Sequence, residues 1–160
     1  RFVVRAPAEV VRAFHQDDAK TAFASLAPPG TPVTFQIPMQ GMSNGAVLKF
    51  TMWLGCCIPV QWTAEHSEVG PNGFVDTMTE GPVASWAHTH RFVAEGPDRT
   101  AVEDSIVYEY GGGLRGLAAR LMFNTAALRM LFLWRGFATK RALERSGMDG
   151  KTEPLLRGGT

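Results

Sequence analysis

Cysteine is almost missing from this chain: of 160 residues only Cys56 and Cys57 are cysteine, and they are adjacent. A bridge between neighbours would close a small, strained ring, and two thiols alone cannot make a zinc site. The pair therefore reads as two free thiols beside a turn in a reducing cytoplasm, and a disulfide framework is excluded. No apolar run approaches the length that spans a bilayer, and no secretory signal pattern opens the chain. There is no internal repeat, no paired-cysteine metal pattern, no nucleophile elbow around a serine and no lysine-bearing phosphate loop. Gly111-Gly112-Gly113 precedes a helical pattern but has no such lysine.

What is present fits one globular domain with a real core: 45% hydrophobic and 19% charged residues. The net charge of +1 conceals a division. Residues 1–110 carry seven Lys/Arg against twelve Asp/Glu, and residues 111–160 carry nine against three. The basic C-terminal part is either a solvated face or a surface for an anionic partner such as a lipid surface or an acidic ligand.

Phe2 to Arg5 reads as a short strand, followed by a helix that starts after Pro7 and ends near His15, with Val10, Val11 and Phe14 on one side. A second short helix is expected over about 18–26, stopping before Pro28-Pro29-Gly30. The pattern then switches to period two. Strands are expected over 34–40, 46–54, 60–69, 73–79, 85–94 and 100–110, with turn residues between them. Short connections make this an antiparallel meander. One continuous helix is expected over about 114–145, with Leu117, Leu121, Leu128, Leu131 and Arg135 forming one stripe. The fold class is α+β: a curved antiparallel sheet wrapped around a long C-terminal helix, with two short helices near the N-terminus. The domain occupies residues 1–146 and residues 147–160 form a loose tail. A sheet gripping a helix leaves a cavity between them.

The chemistry concentrates in one hairpin. Alternation puts Trp86, His88, His90 and Phe92 on one strand face and Val102, Asp104, Ile106 and Tyr108 on the next. The turn-forming loop Glu95 to Arg99 pairs Ala94 with Thr100, so His90 falls opposite Asp104, His88 opposite Ile106 and Trp86 opposite Tyr108. A carboxylate there either satisfies a buried imidazole structurally or orients it toward a ligand or for proton transfer. No catalytic residue is fixed, His90 and Asp104 being the candidates. No metal is expected, because His88 as a third donor is displaced along the strand by about 6.6 Å. His66 and Asp76 also fall opposite each other. With Glu65 and Glu68 beside them, they read as a surface or rim pair.

The aromatic residues Trp53, Trp62, Trp86, Tyr108, Phe50 and Phe92, with Met52, suggest an apolar lining for a ligand with rings or a long chain. Arg135, among Leu128, Leu131 and Phe132, must find an internal carboxylate, a carbonyl or a ligand anion. Leu133, Trp134 and Phe137 project from the other side of the helix, where they cover the N-terminal helices, form a dimer face or touch a membrane. The sheet aromatics lie on a face that the helix covers, which argues against base stacking and nucleic-acid binding.

The order of elements resembles the START-like superfamily, also called SRPBCC, which includes the polyketide cyclase/dehydrase-like proteins and the birch-pollen-allergen fold. The resemblance rests on the opening Ala6 to His15, Phe74-Val75-Asp76, Gly81-Pro82, Trp86-x-His88-x-His90-x-Phe92, Thr100-x-x-x-Asp104, Tyr108-x-Tyr110-Gly111-Gly112-Gly113-Leu114 and Phe132-x-x-Arg135. It is similar above all to the small stand-alone bacterial ligand-binding branch, although Tyr110 to Gly113 stands where a proline-containing turn is expected. The resemblance implies a helix-grip fold with a cavity for a hydrophobic small molecule: a lipid, quinone, polyketide-like compound or isoprenoid. Expected ligand contacts are Phe50, Met52, Trp62, Trp86, His88, His90, Phe92, Asp104, Ile106, Tyr108, Leu121, Leu128 and Arg135. A cyclase/aromatase or dehydratase using the His90–Asp104 pair is the alternative, and an adaptor touching membrane or protein through its basic helix is a third. No cofactor and no nucleic acid are expected, nor is membrane contact; the protein is expected to be a cytoplasmic monomer or homodimer.

Overall fold

The computed structural model describes residues 1–17, 26–36, 41–55 and 57–148. Seven strands, β1 (Phe2–Val4), β2 (Val33–Phe35), β3 (Val47–Leu54), β4 (Ile58–Gly70), β5 (Gly73–Glu80), β6 (Ser85–Gly96) and β7 (Arg99–Glu109), make one curved antiparallel sheet in the order β1-β7-β6-β5-β4-β3-β2. Every pairing after β1 is between sequence neighbours, as expected of a meander. The expected second helix and residues 37–40 of the second expected strand lie outside the described residues, apart from Leu26, as does Cys56. Cys57 is a free, exposed thiol.

The α1 helix (Ala8–Gln16) begins where the Pro7 carbonyl accepts the N–H groups of Val10 and Val11. It buries Val11 and His15 against the sheet. The helices α2 (Gly113–Met122) and α3 (Thr125–Met148) replace the single helix expected over 114–145, and they meet at 44°. The break is built locally. The Asn124 side chain accepts the N–H of Ala127 at 3.0 Å, capping α3, and the Tyr110 hydroxyl donates to the Phe123 carbonyl at 2.8 Å. A new helix start changes the phase of the apolar stripe. Gly116, Ala119 and Phe123 face inward before the break, and Leu128, Leu131 and Arg135 after it. Leu121, expected in the cavity, is instead 70% exposed, and Leu117 is exposed with it.

Two apolar clusters fill the concave side. One gathers Leu48, Phe50, Val60, Trp62, Ala64 and Trp86 with Phe123 and Leu128. The other gathers Val4, Val11, Phe74, Phe92, Val102 and Leu143. Along β6 they are separated by two residues, His88 and His90, which lie between Trp86 of the first cluster and Phe92 of the second. The second cluster depends on Gly73. With φ of +144°, its absent Cβ would stand 1.9 Å from the His90 carbonyl oxygen, so only glycine lets β5 approach β6 here.

The helix break makes an unequal pair of substitutions out of two residues that a continuous helix would place on one face. In urea denaturation, Leu128→Ala is expected to cost about 2–4 kcal/mol, whereas Leu121→Ala stays within about 0.5 kcal/mol of the parent. Comparable losses at both positions would restore the continuous stripe.

Candidate functional site

Hairpin geometry delivers the polar residues to one place. His90 pairs with Asp104, His88 with Ile106 and Trp86 with Tyr108 across β6 and β7, the register expected from the sequence. His66 pairs with Asp76 across β4 and β5, and Asp76 with His88 across β5 and β6. His66 and Asp76 are not a surface pair. His66 is 3% exposed, and Asp76 joins it to His90. The misleading glutamates point elsewhere. Glu65 sits on the outer face, and Glu68 occupies a bulge with φ of +52° between Ser67 and Gly70.

The result is a row of alternating rings and carboxylates. His66 Nδ1 donates to Asp76 Oδ1 at 2.5 Å, and His90 Nε2 lies 3.2 Å from Asp76 Oδ2. His90 Nδ1 lies 3.1 Å from Asp104 Oδ1, which also takes His88 Nε2 at 3.0 Å. Each carboxylate thus serves the ring opposite it and a ring diagonal to it. Arg135 reaches down from α3, its guanidinium 3.5 Å from His90 Nδ1. Phe74 stacks on His90 at 4.2 Å, and Phe132 stands edge-on to His88 at 5.3 Å.

Electrostatics follow from burial and contact. Burial pushes the Asp104 carboxyl up, but hydrogen bonds from His88 and His90 and the charge of Arg135 outweigh it and hold the group well below the usual carboxylate range. Asp76 is lowered the same way, the bonds from His66 and His90 overcoming burial. Burial, reinforced by His90 beside it, lowers His88 to about 4, so its ring is neutral and the Nε2 proton goes to Asp104. His15 is lowered to about 3, chiefly by burial and then by the Arg135 charge. Its Nδ1 donates to the Val11 carbonyl at 2.8 Å, while its buried Nε2 has no hydrogen-bond partner among the described residues.

This row forms the polar wall of a cavity of about 150 Å³ between sheet and α3. The other walls are Leu48, Phe50, Met52, Trp62 and Trp86 from the sheet, with Phe123, Leu128, Leu131 and Phe132 from the helical side. Of the expected contacts, Phe50, Met52, Trp62, Trp86, His88, His90, Leu128 and Arg135 line it. The remaining five do not. Phe92 runs past the cavity end into the second cluster, packing on His15 at 5.1 Å. Ile106 and Tyr108 pack against the first cluster from one strand further out, and Leu121 faces solvent. Asp104 sits behind the two rings and borders a separate surface groove beside Phe2 and Arg129. His15, His66, Phe74 and Asp76 line the cavity without having been expected there. For His15 the one available signal was its position at the end of an amphipathic helix.

The expectation that spacing keeps a metal out does not hold either. The His88 and His90 rings converge to 3.8 Å between centroids despite their separation along the strand, and β5 adds Asp76 as a third donor.

Comparison with known proteins shows the fold. No protein-family model matches the chain, and no curated protein matches it by sequence. Solved structures do match. An aromatase/cyclase from a Streptomyces species superposes with a TM-score of 0.65 over 91% of each chain at 20% identity. A norcoclaurine synthase from Thalictrum flavum superposes with a TM-score of 0.64 over 91% of this chain and 92% of its own, at 15% identity. A START superfamily protein from Mycobacterium smegmatis gives 0.61 over 90% and 94%, at 12% identity. The chain therefore has the START-like helix-grip fold.

The depressed His15 pKa has a sign that can be checked. A ring kept neutral when folded but titrating near 6.5 when unfolded stabilises the fold fully above pH 6.5, and that contribution is lost as pH falls toward 3. His88 adds in the same direction. Stability measured by urea denaturation between pH 7 and 4 should therefore fall on acidification. In His15→Leu the slope should flatten by up to about 1.4 kcal/mol per pH unit. An unchanged slope in His15→Leu would mean that the ring is not held neutral.

Proposed function

We propose that this protein binds a compact apolar molecule carrying one anionic or hydrogen-bond-accepting group, with its apolar body among Phe50, Trp62, Trp86 and Leu128 and its polar group turned toward Arg135. The observation that carries this reading is the segregation of the cavity lining: the titratable groups among the described residues, from β4, β5, β6, α1 and α3, gather around His90, and the rest of the lining is aliphatic or aromatic. A guanidinium aimed into such a space recognises a carboxylate, phenolate or carbonyl oxygen with directional donors. His15 Nε2, without a partner among the described residues, adds an acceptor for a ligand hydroxyl.

Size narrows the candidates. A cavity of about 150 Å³ accommodates a single six-membered ring without wall movement. That favours a ring-bearing headgroup, quinone-like or phenolic, over an intact lipid or a fused polyketide. Each methylene buried beyond that ring contributes about 0.8 kcal/mol but needs space.

Acid–base chemistry of the cyclase or dehydratase type is the second reading, favoured by the continuous row from His66 to His88, along which a proton can be passed. It ranks lower because both nitrogens of His90, the candidate base, are already engaged by Asp76 and Asp104.

Trp62 and Trp86 line the cavity, so their fluorescence reports occupancy. Titration with benzoates, phenols and benzoquinones is expected to give saturable quenching. Arg135→Met should weaken the benzoates about 10- to 100-fold while changing uncharged rings less than about threefold. Failure of all three compound classes to bind would sink the reading, as would equal weakening of charged and uncharged rings by Arg135→Met.

A further inference from the structure

We propose that Asp76, His88 and His90 form a binding site for one divalent transition-metal ion of the zinc or iron(II) type, set in the polar wall with its open positions toward the cavity. One donor atom from each residue lies within 4.8 Å of the other two. Ligands about 2.1 Å from a shared ion stand roughly 3–3.5 Å apart, and His90 Nε2 and Asp76 Oδ2 already stand at 3.2 Å. His88 would present Nδ1, because its Nε2 is held by Asp104. All three residues line the cavity, so an ion there would meet whatever the cavity holds.

The surroundings carry the inference further than the triad does. A metal-bound imidazole uses the lone pair of one nitrogen and donates the proton of the other, usually to a carboxylate that fixes its tautomer. Asp104 Oδ1 stands at 3.0 Å from His88 Nε2 and 3.1 Å from His90 Nδ1, so a single carboxylate serves both rings from behind. His66 does the same for Asp76, occupying the carboxylate oxygen turned away from His90.

Hydrogen counting is compatible with an ion. His90 Nε2 and Nδ1 each face a carboxylate, Asp76 at 3.2 Å and Asp104 at 3.1 Å, and the ring meets both either by carrying a proton on each nitrogen or by holding a metal on Nε2 and donating Nδ1–H to Asp104. The ion thus takes the place of one proton in the row. Two imidazoles and one carboxylate select zinc, iron(II), cobalt or manganese over magnesium and calcium.

The site does not rest on the proposed organic ligand, so the test uses metals alone. Chain carrying Cys56→Ser and Cys57→Ser, to remove the thiols, is stripped with chelator and titrated with Co²⁺ by calorimetry and visible absorption, then with Zn²⁺ in competition. Stoichiometric uptake of one Co²⁺, displaced by Zn²⁺, is expected. His88→Gln should weaken uptake at least about 100-fold and Asp104→Asn about 10- to 100-fold, with near-ultraviolet dichroism confirming the fold. Should one of these variants fail to fold, the other with Asp76→Asn decides. Arg135→Met is expected to retain or tighten cobalt binding even as it weakens benzoates, which separates this site from the ligand reading. No saturable uptake by the folded chain would overturn the proposal. Uptake unchanged in the folded variants would show an adventitious ion only, and would overturn it equally.

Discussion

Two carboxylates on one face of a sheet, Asp104 buried and Asp76 partly so, dictate most of this structure. An isolated carboxylate in such surroundings costs several kcal/mol, and Asp104 is 7% exposed at its side chain. Each therefore needs donors close by, and the chain supplies them from two strands, His66 on β4 and His88 and His90 on β6, with the charge of Arg135 on α3 added beside Asp104. Sliding any one strand by a residue would turn its contribution to the opposite face. The row thus fixes the register of four adjacent strands more tightly than apolar burial would, since apolar side chains tolerate repacking and a buried charge without its partner does not.

Much of this was legible in the sequence, and the limits have physical causes. The pairings of His90 with Asp104 and of His66 with Asp76 followed from period-two alternation counted outward from tight turns. That arithmetic survived even the bulge at Ser67 to Gly70, which absorbs its extra residue in the turn and leaves the strand beyond in phase. The connection between β5 and β6 passes through Gly81 and Pro82 and sets no register by its length, so the placement of Asp76 opposite His88 was out of reach. That one missing pairing hid the junction of the two His/Asp pairs into a single row. The break in the helical segment was hidden for a different reason. Leu121 and Leu128 stand seven apart and read as one stripe until a cap at Asn124 starts the count again.

Burial was the harder quantity to read. Neighbouring charges suggested solvent at His66, yet Glu65 at i−1 reports on the other face of the strand, and Glu68 at i+2 is taken out of phase by the bulge. Ala64 is buried on the same face as His66, whereas Glu65 is exposed on the other. The cavity contacts failed in a related way. Phe92, Ile106 and Tyr108 share the inward face with His90 and Trp86, but facing inward places a residue in the core without placing it at a cavity, and a twisted sheet carries strand ends away from the centre.

The location of the polar row explains why a cavity persists at all. A helix packed on a sheet normally fills the space between with side chains at near-crystalline density. Here the two apolar clusters close at either end of β6, and between them stand rings and carboxylates whose geometry is set by each other and not by the helix. Imidazoles locked edge-on by hydrogen bonds cannot rotate to fill a gap, and Arg135, drawn toward His90, cannot serve as an apolar plug. The space left above them is lined on its remaining sides by Trp62, Trp86 and Phe132, flat groups that leave voids when held apart. The network that makes the carboxylates tolerable thus also prevents the core from closing, and a polar-walled cavity is the consequence of both.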